Sequence, residues 1–149
     1  MAIWQFEFQI VPEGRERTMG SEDDIISWEG QLIPCEFESR LSQIIPINNN
    51  SSENGCVYGE YDSTCIYILK EQSTIVEIFC RFDLRSLAKK LLVEILELIK
   101  FINGEIYISG KFFVPELEKL VSLMACSTAA SFCNDPIEYL SKLTEKPSI

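Results

Sequence analysis

Histidine is the side chain that most often supplies a base near neutral pH, and this 149-residue sequence contains none. Ser/His and Cys/His nucleophile pairs are therefore excluded, together with every histidine-ligated metal centre. The six cysteines (Cys35, Cys56, Cys65, Cys80, Cys126 and Cys133) form no CxxC pair. In a reducing compartment they read as small buried hydrophobes, with a disulfide or a reactive thiol as the alternative. Cys126 and Cys133 lie seven residues apart, but a break expected near Phe132 favours core packing over a shared site. The seven glycines are isolated, and no GxGxxG or Walker-type phosphate loop is present. Asp23/Asp24 and Glu36/Glu38 have the chemistry to hold Mg²⁺ or to work as an acid and base pair, yet no spacing singles out either pair from the acids around it. Arg81, Asp83 and Arg85 fall at i, i+2 and i+4, so on a strand they share one face. Two guanidiniums there can grip a carboxylate or phosphate. In the plainer reading, Asp83 neutralises its neighbours while they bond to helix or loop carbonyls.

The element that must position those three residues runs from Thr74 to Asn103. In Ile75 to Arg85 one parity (Val76, Ile78, Cys80, Phe82, Leu84) is apolar, while the other mixes Ile75 and Phe79 with Glu77, Arg81, Asp83 and Arg85, which is the period of a pleated strand. At Ser86 the period changes to about 3.6. Leu87, Leu91, Ile95, Leu98 and Ile102 then form one helical stripe, with Ser86 as N-cap and Asn103-Gly104 as stop.

The remaining elements follow from the same rules. Trp4, Phe6, Phe8 and Ile10 alternate with polar residues, predicting a half-buried strand that ends at Pro12. Glu13 to Asp24 reads as an exposed loop whose last acids cap a short helix carrying Ile25, Ile26 and Trp28. Pro34 opens a second short helix over Cys35 to Ile45, with Phe37, Leu41, Ile44 and Ile45 apolar, and Pro46 ends it. Asn48 to Gly55 is a loop or, at Asn54-Gly55, a hairpin turn. Ser63 to Leu69 is expected to pair with Ile75 to Arg85 as a hairpin, and Glu105 to Ser109 to add a short strand. A third helix is expected from Val114-Pro115 through Ala130, broken at Phe132 to Asp135, before a last short helix from Pro136. The prediction is a single α+β domain over residues 1–149. It has a mostly antiparallel sheet of about four to five strands packed against two longer helices, with short acidic helices and loops in the N-terminal third. The start MAIWQFEFQI lacks a basic region and cleavage site, and no apolar run reaches the roughly 18 to 20 residues of a membrane span, so the expected location is the cytoplasm.

Charge carries the functional information. Residues 1–62 hold twelve acids against three arginines, a net of −9, whereas residues 63–149 hold eleven acids against ten bases, a net of −1. Such an acidic region repels nucleic acid and anionic membranes and steers basic partners inward, unless it is simply a solvated face that keeps the protein in solution. The candidate partner-binding residues are Glu22, Asp23, Asp24, Glu29, Glu36, Glu38, Glu60 and Asp62. Trp28 and Phe37, set among these acids, are the candidate apolar anchors, with a place in the core as the alternative. No catalytic residue, metal ligand or cofactor is indicated by any motif.

The aromatic strand WQFEF, the strand-to-helix segment RFDLR (Arg81 to Arg85) and a C-terminal pattern of Ser127, Ala129 or Ala130, Phe132, Asp135 and Pro136 resemble the organisation of small acidic immunity proteins. Bacteria encode these beside polymorphic or contact-dependent growth inhibition toxins. The resemblance covers about two thirds of the chain. It implies a non-enzymatic inhibitor that binds a cognate toxin domain, often a basic nuclease, and blocks its active site or a nearby surface. Toxin-binding residues are individual to each such pair, so the candidate contacts above come from charge alone. The alternatives are an enzyme or small-ligand protein with its site over the Arg81/Asp83/Arg85 face, and an adaptor for another secreted protein.

Overall fold

The alternation in Trp4 to Ile10 builds the centre of the molecule rather than an edge. The computed structural model describes residues 1–14, 26–48 and 54–135. Six strands, β1 (Gln5–Pro12), β2 (Gly55–Gly59), β3 (Cys65–Glu71), β4 (Thr74–Asp83), β5 (Gly104–Ile108) and β6 (Lys111–Phe113), form one sheet in the order β2-β3-β4-β1-β5-β6. Each neighbouring pair is antiparallel. The helices are α1 (Glu36–Ile44), α2 (Lys89–Phe101), α3 (Leu117–Ala125) and α4 (Thr128–Asn134). The α+β class is as the sequence predicts. The finer prediction was too small, since six strands and four helices lie among the described residues.

Period-two patterning puts Phe6, Phe8 and Ile10 of β1, Ile66 and Ile68 of β3, and Ile78, Cys80 and Phe82 of β4 on one face of the sheet. These side chains are buried with Phe37 and Leu41 of α1, Leu92, Ile95 and Ile99 of α2, and Leu120 and Met124 of α3 in one continuous core. Each fully buried large side chain contributes about 1.5–3 kcal/mol of transfer free energy, so this shared face is what fixes the strand register. The opposite face carries Glu7, Tyr67, Phe79 and Arg81, and Tyr67 stacks on Phe79 with centroids 4.8 Å apart.

Several boundaries differ from expectation, each for a local reason. The strand β6 was not foreseen. Its hairpin turns on Ser109 and Gly110, both at positive φ (49° and 81°), the geometry of a two-residue turn between Ile108 and Lys111. The long helix begins at Lys89, with Ala88 rather than Ser86 at its N-cap. The Asp83 carboxylate accepts from the Arg85 backbone N–H, and the Ser86 N–H bonds to the Asp83 carbonyl, so residues 83–86 turn before any helix starts. The helix expected through Ala130 is cut at Ala125 because the Ser127 hydroxyl caps a new one. Its oxygen accepts from the Ala130 N–H at 3.1 Å, and Phe132 lies inside α4 instead of in a break. The segment expected to follow from Pro136 lies outside the described residues.

Ile26 to Trp28 is not the short helix predicted for it; Ile25 lies outside the described residues. The register of β3 on β4 shifts after Leu69, pairing Leu69 with Glu77 and Lys70 with Ile75, which leaves Val76 as the extra residue of a bulge. Pairing of β1 with β4 reaches Ile10 and Ile78 and goes no further. Into that fork the chain inserts Trp28. Its backbone N–H donates to the Val76 carbonyl at 2.7 Å, and its indole Nε1 donates to the Ile10 carbonyl at 2.8 Å. Gln9, buried on the outer face, donates through its amide to the Ile26 carbonyl at 2.6 Å. Among the described residues no helix is long and apolar enough to cross a membrane.

Candidate functional site

Antiparallel order decides which charges meet. The C-terminal ends of β1 and β3 and the N-terminal ends of β4 and β5 all lie at one end of the sheet, because Pro12 pairs with Gly104 and Glu71 with Thr74. Two concavities open there. One, of about 370 Å³, is lined by Glu13, Glu105 and Glu116 with Lys100, where α2 ends and α3 begins. The other, of about 540 Å³, is lined by Glu29 and Glu71 with Lys70. Glu13, Glu29, Glu71 and Glu116 are exposed. Lys70 does not neutralise this end freely, since its ammonium is held 2.9 Å from the Glu38 carboxylate. Burial opposes its charge, but the hydrogen bond and attraction from Glu38 outweigh that and raise its pKa. Five carboxylates from separate stretches of chain thus surround two hollows at one end of the molecule.

This arrangement redistributes the residues that linear charge suggested. Glu29 belongs to the acidic end. Glu36 is exposed at the start of α1. Glu38 is engaged by Lys70 and by the Tyr58 hydroxyl at 3.2 Å, and burial, then Glu38, pushes the Tyr58 pKa well up. Glu60 and Asp62 are exposed in the turn between β2 and β3, at the opposite end of the sheet, so they are not part of the same patch. Glu22, Asp23 and Asp24 lie outside the described residues. Trp28 and Phe37 are 2% and 1% exposed and sit in the core, which corrects their assignment as surface anchors. Their apolar surface was needed inside, where Trp28 fills the fork between β1 and β4. Glu13 was missed, as were Glu71, Glu105 and Glu116 from the half of the sequence that is nearly neutral. The available signal was strand direction: each acid adjoins the same end of an antiparallel strand.

Each charge of the Arg81/Asp83/Arg85 face has an internal partner. Arg81 pairs through Nε with Glu7 of β1, its registered neighbour, and sits over the Tyr67 ring with its guanidinium carbon 4.9 Å from the centroid. Burial and the Glu7 charge push the Tyr67 hydroxyl up to about 12. Arg85 lies beyond the end of β4. It donates through Nε and Nη2 to Asp83 at 3.0 and 2.8 Å and through Nη2 to the Asp62 carbonyl at 3.4 Å, and stacks 3.8 Å over the Trp4 ring. Asp83 is 2% exposed and also accepts from the Ser63 hydroxyl. The Arg85 hydrogen bonds hold its carboxyl below the usual carboxylate range, against the opposing effect of burial. Trp4 Nε1 donates to the Asp62 carbonyl at 2.7 Å and the Gln5 amide to the Tyr61 carbonyl at 2.8 Å, so the β2–β3 turn is locked to the start of β1. This end is a structural clamp in which each guanidinium already has a carboxylate partner, although the Arg85 side chain remains 47% exposed.

All six cysteines are unpaired, and burial raises the thiol pKa of Cys65 and Cys80, the reverse of nucleophile activation. Among the described residues no three His, Cys, Asp or Glu side chains gather as metal ligands. No protein-family model matches the chain, and comparison with curated proteins and with solved structures returns no match.

Proposed function

We propose that the protein is a non-enzymatic immunity protein that binds and neutralises a basic toxin domain, a nuclease being one such class, in the bacterial cytoplasm. The observation that carries this reading is the gathering of Glu13, Glu29, Glu71, Glu105 and Glu116 around two hollows at one end of the sheet. Carboxylates focused in concave surface raise the local potential, attract a cationic domain from beyond contact range and orient it before docking. Such steering accelerates association and weakens as salt shortens the screening length to about 8 Å at physiological ionic strength. The resemblance of the aromatic first strand and the RFDLR segment to acidic immunity proteins points the same way. The internal pairing of Arg81 with Glu7 and of Arg85 with Asp83 speaks against the alternative of a small-ligand site on that strand face.

The test is co-expression with the toxin domain encoded beside its gene, followed by binding kinetics between the two purified proteins. Relief of toxicity is expected, together with an association rate that falls about tenfold or more between low and physiological salt. A Glu13→Gln/Glu29→Gln/Glu71→Gln/Glu116→Gln variant should lose most of that salt dependence. Unrelieved toxicity, or identical association by the variant, overturns the reading.

A further inference from the structure

The two aromatics that the sequence offered as anchors are instead the buried ends of a loop that carries an exposed leucine. Trp28 is fixed by hydrogen bonds to Val76 and Ile10, and Phe37, the second residue of α1, is buried in the core. Between them the chain turns outward. The Gln31 N–H bonds back to the Trp28 carbonyl at 2.9 Å, Gly30 takes a positive φ of 81° that a side chain would strain, and the Phe37 N–H bonds to the Pro34 carbonyl at 3.0 Å. At the crest is Leu32, 93% exposed, more than any other large apolar side chain described. The backbone is pinned on either side of this leucine, at Gln31 and at Phe37, so docking has less chain freedom to remove there than from an unanchored loop. Leu32 is flanked by Glu29, which lines the larger acidic hollow, and by exposed Glu36.

We propose that Leu32 is the apolar anchor of the complex, seated in a socket on the partner that is ringed by lysine or arginine. The inference rests on the reading of the protein as an inhibitor of a basic domain, and it fixes what that domain's surface must offer: a dry pocket the size of one aliphatic side chain, with cations at its rim opposite Glu29 and Glu36. Charge then governs how quickly the proteins meet, and Leu32 governs how long they stay together.

The experiment measures association and dissociation of the full chain with the same purified toxin domain, comparing Leu32→Ser, Leu32→Met and Glu29→Gln. Leu32→Ser should dissociate at least about tenfold faster with association changed by less than about twofold, and Leu32→Met should restore slow dissociation. Glu29→Gln should slow association instead. An unchanged dissociation rate in Leu32→Ser overturns the anchor while leaving the acidic reading in place. Failure of the unmodified chain to bind the domain overturns both. Because Leu32 touches water rather than the core, its variants are expected to fold as the parent does, which a matching thermal midpoint verifies.

Discussion

The two ends of the sheet use carboxylates in opposite ways. At one, Glu13, Glu29, Glu71, Glu105 and Glu116 stand around open hollows that Lys100 and the already engaged Lys70 also line. At the other, Asp83 is buried and meets Arg85 while Ser63 donates to the same carboxylate. An acid that accepts several hydrogen bonds in a desolvated place is part of the fold, because removing it strands its donors. Exposed acids such as Glu13, Glu29, Glu71 and Glu116 add little to folding and are available to something else, whereas Glu105 is half-buried and accepts from the Gly14 N–H. The difference teaches that what separates charge used by the fold from charge left accessible here is partner count and burial, not residue type or position along the chain.

The sharpest way to break this comparison is to remove the clamp. Asp83→Ala should lower unfolding free energy by about 2 kcal/mol, read from the denaturant midpoint, as donors from Ser63 and the Arg85 backbone lose their acceptor. A loss no larger than that of an exposed glutamate would show that the clamp is ornamental. The second effect is acid dependence. Because the folded Asp83 carboxyl is held below its ordinary value, its contribution is complete above the unfolded carboxylate pKa of about 3.9 and disappears as pH falls from there through the folded value. Thermal midpoints of the parent should therefore drop more steeply below about pH 4 than those of Asp83→Asn, and parallel curves would assign the acid sensitivity elsewhere. The smallest effect is expected at the open end. The combined Glu13, Glu29, Glu71 and Glu116 to Gln variant should change stability by no more than about 0.5 kcal/mol per site, with any change favourable, since like charges are being removed. A marked destabilisation would mean that these acids are also structural.

Much of the core was legible in the sequence. The apolar parity of Ile78, Cys80 and Phe82, the stripe of Ile95 and Leu98, and the alternation of Phe6, Phe8 and Ile10 all turned out to be buried, because a face that must exclude water imposes its period on the residues. Less legible was whatever depended on a single side chain acting on the backbone. Ser127 splits a helix with one hydroxyl, and Asp83 delays another with its carboxylate. The bulge at Val76 follows from what inserts beside it, which no local pattern encodes. The candidate site was half visible. Glu29 was found, but its companions Glu13, Glu71, Glu105 and Glu116 come together only through the antiparallel order of strands, and a running sum of charge carries no strand direction.

That order also has a consequence for synthesis. Of the six described strands, the one made earliest is central, with β4 on one side and β5 on the other. While the chain emerges at roughly 5–20 residues per second, β2, β3 and β4 can pair with neighbours close in sequence, but β1 must wait for partners some seventy to a hundred positions later. During that interval Phe6, Phe8 and Ile10 have no sheet to cover them. Chains released early, before Gly104 to Ile108 exist, would retain a hydrophobic strand with one edge unsatisfied, and such fragments are natural substrates for chaperones and proteases.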